Sequence, residues 1–131
     1  MHLDRNVSRS LSALATGLMV AWPGFAADSF HKLRDAEIRA RLAGMETTDG
    51  VHWAEQYMRD GAFKMFSMGK LINGKWSVRK GMLCLDDGKS DLQAPLGCKE
   101  VWLSGNKIEF RVPDSGLPAF EGVLQKQQPR K

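Results

Sequence analysis

A mainly β fold, a small antiparallel meander of about seven strands closing as a barrel with one N-terminal helix, follows from three features of this chain. First, from Val51 onward short apolar runs are separated by Gly, Asn, Asp and Pro turn signals at close intervals, which implies hairpins between neighbouring strands. Second, period-two alternation is visible where Trp76 and Val78 flank Ser77, and where Ile108, Phe110 and Val112 flank Glu109 and Arg111. Third, only one stretch has convincing helical spacing. A meander must cover its edges by closing into a barrel or folding into a sandwich, and the barrel is the preferred reading.

The elements follow in order. Ser29 or Asp28 is placed to cap a helix over residues 29–43, with Phe30, Leu33, Ile38 and Leu42 near one face and Gly44 as its stop. Strand-like runs then occupy Val51 to Met58, Ala62 to Met68, Gly69 to Asn73 with Gly74 to Arg79, and Met82 to Leu85. The later ones are Cys98 to Leu103, Lys107 to Val112 and Phe120 to Leu124. The turns between them include Asp60-Gly61, Lys80-Gly81, Ser104-Gly105-Asn106 and a Pro/Gly loop from Pro113 to Pro118. The helix is expected to plug one open end or face. The polar tail, residues 125–131, is expected to fray.

The N-terminus predicts an address. Met1 to Ser10 is polar and carries Arg5 and Arg9, Leu11 to Ala21 is uncharged and mostly apolar, and Pro23-Gly24 precedes Phe25-Ala26-Ala27. That is the order of a secretory signal, with cleavage expected after Ala26, where Gly24 and Ala26 supply the small residues. A membrane anchor is disfavoured, because an apolar run of this length falls well short of the ~20 residues that cross a bilayer. The expected organisation is a cleaved segment over 1–26, one domain over 27–124 with its helix at 29–43, and the tail. The expected localisation is periplasmic or secreted, with no stable membrane insertion after cleavage.

The whole chain has 131 residues, 19 Lys and Arg against 15 Asp and Glu, and a net charge of +4. Without Arg5, Arg9 and Asp4 the excess is +3, scattered among acids rather than gathered in a stripe, so no nucleic-acid partner is indicated. Hydrophobic residues at 43% and charged residues at 26% exclude wholesale disorder and a multi-span membrane protein.

Cys84 and Cys98 are the only cysteines. An even pair in an oxidising compartment predicts a disulfide, and the polar segment between them reads as a loop whose base the bridge would staple, worth ~3 kcal/mol in the chain-entropy model. With 13 residues between the two, a redox-active pair is disfavoured.

The ordered set Leu42-Ala43-Gly44, Asp60-Gly61, Gly74-Lys75-Trp76-Ser77-Val78, Gly81-Met82-Leu83-Cys84-Leu85, Gly97-Cys98 and Ser104-Gly105-Asn106-Lys107 resembles a family of small secreted bacterial proteins of unknown function. The resemblance spans nearly all of the domain. It implies the fold and the envelope address but no activity, and Lys99 stands where that pattern usually has an aromatic. Gly74-Lys75-Trp76 is also a weak echo of the Gly-x-Trp of lipocalin-like barrels.

No constellation in the sequence specifies chemistry. His52 could serve a small hydrolase or lyase with a nearby carboxylate, but no Gly-x-Ser-x-Gly elbow accompanies it. Alternation places His52 with Ala54, Gln56 and Met58, and Trp53, Glu55 and Tyr57 on the opposite face. Glu46 with Asp49, or Glu55 with Asp60, are possible carboxylate pairs without a distinctive spacing. Asp86-Asp87-Gly88-Lys89-Ser90-Asp91 offers oxygen ligands for calcium, yet lacks the EF-hand spacing and contains a lysine. Zinc is poorer still, and no cofactor is expected. The rich aromatic content belongs mostly in a core. If the domain binds a small molecule, the site is expected to be an apolar pocket at one barrel end bordered by Trp53, Tyr57, Trp76 or Trp102. The leading expectation is therefore a non-enzymatic binding module for a small ligand or an envelope protein, with the His52 enzyme as the alternative. Inhibition of a cationic lysozyme is disfavoured by the domain's own positive charge.

Overall fold

The computed structural model describes residues 29–89 and 96–130, together with Gly17. The expected export segment over 1–26, apart from Gly17, lies outside the described residues, as do residues 90–95 of the connection between the two cysteines. The elements are β1 (His31–Lys32), α1 (Asp35–Leu42), β2 (Met45–Thr48), β3 (Trp53–Tyr57), β4 (Ala62–Ser67), β5 (Lys70–Arg79), β6 (Met82–Asp86), β7 (Gly97–Ser104), β8 (Lys107–Arg111) and β9 (Phe120–Lys126).

Strands β2 to β9 form a closed eight-stranded antiparallel barrel. Each pairs with its sequence neighbour, and β9 returns to pair with β2 through Thr47 opposite Leu124. Closure removes both sheet edges, which is why a chain with little more than one hairpin length per strand can be stable. The barrel expected from the sequence is present, with eight strands in the barrel and one extra strand, β1, among the described residues instead of about seven in all. The two runs read over residues 69–79 are one strand, β5. Two strands had no sequence signature. β2 is four residues of mixed polarity, Met-Glu-Thr-Thr, and β1 is two residues set opposite Trp102 and Leu103 on the stretch of β7 that β6 does not reach.

The helix is shorter than residues 29–43. His31 and Lys32 are taken by the sheet, and the Leu33 N–H donates to the Val101 carbonyl at 2.8 Å, so helical hydrogen bonding starts only beyond Arg34. The Glu37 carboxylate accepts from the Arg34 backbone N–H at 3.3 Å, doing the capping work assigned above to Ser29 or Asp28. Gly44 ends the helix as expected, with a positive φ of 79° and its N–H donating to Tyr57 O at 2.7 Å.

Leu33, Ile38 and Leu42 are buried and close one end of the barrel. Arg39 Nη2 donates to Val78 O, and Asp35 Oδ1 accepts from the Gly81 N–H in the turn between β5 and β6. The core beneath them is Tyr57, Phe63, Met65, Val78, Leu83, Leu85, Val101, Leu103, Ile108, Phe110 and Leu124. Two glycines allow close approach inside the barrel. A Cβ at Gly74 would run into the Asp86 carbonyl oxygen and fall 2.5 Å from the ring of Phe63, its cross-strand partner, and one at Gly122 would fall 2.8 Å from the Thr48 carbonyl oxygen and 2.9 Å from the ring of Trp53.

Residues 125–130 of the tail pack against the barrel, and residue 131 lies outside the described residues. Gln125 and Lys126 belong to β9, and residues 127–130 fold back over the outer face of β2 and β3. There Glu46, fully buried, accepts from Gln56 Nε2 (2.9 Å), Gln125 Nε2 (2.8 Å), Arg130 Nε (2.7 Å) and Arg130 Nη2 (2.9 Å). Burial alone would raise this carboxyl's pKa, but the donors from Arg130, Gln56 and Gln125 outweigh it and hold it at about 2. The composition of a polar segment does not reveal that its side chains have a buried acceptor to satisfy.

Candidate functional site

At the end of the barrel opposite α1, the turns leave a mouth, and below it lies a cavity of 220 Å³ lined by Trp53, Glu55, Met65, Ser67, Lys99, Phe110 and Phe120. Strand alternation builds it. Trp53 and Glu55 point inward from β3, Met65 and Ser67 stand opposite them on β4, Lys99 comes from β7, and Phe110 and Phe120 are cross-strand partners on β8 and β9. The walls are aromatic and thioether. The floor is charged.

Glu55 and Lys99 are 3% and 4% exposed, and Lys99 Nζ lies 3.1 and 3.4 Å from the two Glu55 oxygens. The Tyr57 hydroxyl donates to Glu55 Oε2 and also meets Thr47 Oγ1 at 2.9 Å. Burial, then the neighbouring Glu55 charge, pushes the Tyr57 phenol well above its ordinary pKa, so it remains a neutral donor. The ammonium sits 4.3 Å from the centre of the Phe110 ring, a cation–π contact. An ammonium has three N–H groups. Among the described residues Lys99 directs two hydrogen bonds, both to Glu55, which leaves one N–H for an acceptor entering the cavity.

The four aromatic residues singled out from the sequence do not converge. Trp53 lines the cavity. Tyr57 lies deeper, joined to it through Glu55. Trp76 packs edge-on against Tyr57, ring centres 5.8 Å apart, and its indole N–H donates to Met58 O at 2.7 Å, which makes it part of the core toward the helix end. Trp102 is on the outer surface, where Arg111 stacks on its ring at 4.0 Å and its indole N–H has no acceptor among the described residues.

The sequence reading missed Met65, Ser67, Lys99, Phe110 and Phe120 as lining residues of this site, and Thr47 as the partner of Tyr57 behind it. For Lys99 a signal existed, since it shares the inward parity of Val101 and Leu103 on β7.

His52 lies on the exposed loop before β3, with Nδ1 2.8 Å from Asp49 Oδ2. Asp49 Oδ1 accepts from the backbone N–H groups of Val51, His52 and Trp53. Partial burial works against the charged form, but these three N–H groups and the imidazole win and hold Asp49 well below the usual carboxylate range. The carboxylate is thus committed to shaping a turn, and no described Ser or Tyr hydroxyl hydrogen-bonds to the ring.

The proposed carboxylate pairs are not formed either. Glu46 faces outward beneath the tail, and Asp60 accepts from the Ala62 N–H. Cys84 and Cys98 are disulfide-bonded across β6 and β7, at the base of the connection they were expected to staple. No cluster of three or more His, Cys, Asp or Glu suited to a metal is found among the described residues, and Ser90 and Asp91 of the calcium candidate lie outside them.

The fold and site define a closed eight-stranded antiparallel barrel, plugged by a helix at one end and holding a small, ion-paired cavity at the other. No family model, curated protein or solved structure matches this chain.

Proposed function

We propose that the domain is a non-enzymatic binding module of the cell envelope that takes a small, uncharged, single-ring ligand in the mouth cavity, with a carbonyl or amide end on the floor. The observation that carries this reading is the charge-neutral Glu55–Lys99 pair facing an aromatic cavity with one ammonium N–H not directed at Glu55. The volume of 220 Å³ is below the ~300–1,000 Å³ of sites for drug-sized ligands, so the occupant is of single-ring size. A ligand bearing net charge would introduce an unpaired charge beside a compensated pair in a water-poor site, which is costly. A neutral acceptor would instead gain a charge-assisted bond from Lys99 Nζ. Export of the chain, expected from residues 1–26, and the disulfide are consistent with an extracytoplasmic place of work.

The test uses benzamide, benzoate and benzylamine as probes of one size and three charges, followed by the indole N–H resonance of Trp53. Benzamide is expected to shift that resonance saturably at about millimolar Kd, ahead of both ions. Ser67→Phe, which fills the cavity from its wall, should abolish the shift while preserving the circular dichroism of the barrel. Absence of a saturable shift with all three probes would sink the reading.

A further inference from the structure

Lys99 is the one buried lysine among the described residues, and every other described lysine is exposed. Taking an ammonium out of water is costly unless it is paired, and the Glu55 carboxylate pairs it. A buried ion pair contributes little net stability against apolar side chains of the same volume, and stability alone gives no reason for this one to face 220 Å³ of open space. Three features meet in that space. There is a primary amine, a proton acceptor 3.1 Å from it, and walls from Trp53, Met65 and Phe110 that can hold a ring. An amine in an apolar pocket with a proton partner beside it is the arrangement that condenses with a carbonyl.

We infer that Lys99 captures a single-ring aldehyde as a reversible imine, an inference that rests on the carbonyl ligand proposed above for the same cavity. A carbonyl oxygen that accepts the remaining Lys99 N–H holds its carbon beside Nζ, and the bound arrangement replaces a bimolecular encounter. Glu55 takes one ammonium proton, and the freed nitrogen lone pair bonds to the carbonyl carbon as the C=O π pair moves to oxygen. A second nitrogen proton passes to that oxygen and gives a neutral carbinolamine. Glu55 then returns its proton to the hydroxyl, the C–O bond breaks, water leaves, and the nitrogen lone pair closes the C=N bond. Nothing is oxidised or reduced and no co-reactant is needed. Two of the three ammonium hydrogens leave in the water and one stays on nitrogen, so an ammonium is exchanged for an iminium of the same charge. That conservation fits the chemistry to this floor. Glu55 faces one positive charge before and after, and no unpaired charge is left in the buried site. The Tyr57 hydroxyl, donating to Glu55 Oε2, holds the carboxylate in place meanwhile. Phe110, its ring centre 4.3 Å from Nζ, is placed to face either cation. The small volume favours an aldehyde over a ketone, since it leaves space for one ring and little beside it. Addition of water by the reverse sequence releases the ligand.

The test is incubation of the full chain with benzaldehyde and cyanoborohydride, which reduces an iminium to a stable benzylamine, followed by peptide mapping of every lysine. Lys99 is expected to take the benzyl group saturably and at least about tenfold faster than the exposed lysines, although accessibility alone ranks it last among the described ones. Excess benzamide should protect Lys99 and no other lysine. Ser67→Phe, which fills the cavity, should cut labelling of Lys99 at least about tenfold and leave the exposed lysines unchanged. Glu55→Gln keeps the shape and removes the proton acceptor, and should slow labelling of Lys99 at least about tenfold; the wild-type readouts stand whether or not this variant folds. Labelling that follows exposure, with Lys99 last, would overturn the inference. So would labelling of Lys99 that neither benzamide nor Ser67→Phe reduces. A benzamide-induced shift of Trp53 with Lys99 unlabelled would overturn the covalent step alone and leave the ligand reading standing, whereas no shift and no labelling would sink both.

Discussion

Two carboxylates on adjacent strands, Glu46 on β2 and Glu55 on β3, are both almost inaccessible to water, yet their surroundings differ in completeness. Glu46 points outward and is closed over by the tail, with four N–H groups directed at its two oxygens, two of them from one guanidinium. Glu55 points inward and shares its charge with an ammonium that has one donor to spare and a cavity above it. A saturated buried charge fastens structure. A buried pair that is satisfied only in part, beside open volume, leaves polar capacity for something that enters, and for that reason the binding proposal rests on Glu55 and not on Glu46.

The largest effect that would sharpen this contrast is expected from Lys99→Met. It leaves Glu55 buried without its counter-charge and should cost about 3–5 kcal/mol in urea unfolding, most of which Glu55→Leu in the same chain should restore. If the single variant costs as little as a surface change, Glu55 is better hydrated than its burial implies.

Arg130→Ala comes next. It removes two of the four donors to Glu46 and frees the tail, at about 1–3 kcal/mol. The pH dependence has a definite sign. The folded pKa of Glu46 is depressed to about 2, so its contribution is fully present above the ordinary carboxylate pKa and is lost as pH falls from about 4.5 towards 2. The variant should show a smaller loss of stability across that window. An acid limb identical to wild type would mean that the tail does not hold Glu46 in solution.

Smallest is Phe120→Ala at the cavity rim. It should change stability by less than about 0.5 kcal/mol and weaken benzamide binding roughly fivefold. A large stability loss would make Phe120 a core residue instead of a wall of the site.

Parity along a strand carried the reading a long way. Trp53, Glu55 and Tyr57 share the face opposite His52 by alternation alone, and they are the residues of β3 that meet the cavity and its floor. Lys99 was within reach of the same rule, but a lysine in a short run beside Cys98 is ordinarily a surface residue, and parity does not say which side of a strand is inside. Nothing local marked Thr47, because β2 lacks both β-branched apolar runs and a hairpin turn before it. It becomes a strand only because β9 and β3 flank it.

What the sequence determined by itself is whatever depends on neighbours along the chain. That includes the hairpin turns, the two-residue periodicity, the helix stop at Gly44 and the pairing of the only two cysteines, which needs no partner choice. What the tertiary structure alone decided is whatever depends on closure. The return of β9 to β2 brings Arg130 onto Glu46 across 84 positions, and the barrel interior brings Lys99 onto Glu55 across 44. A turn is specified by the dihedral preferences of two to four residues. A buried charge instead selects its partner by desolvation, a cost that arises only after the sheet has curled and excluded water, so no local pattern of residue types records the match.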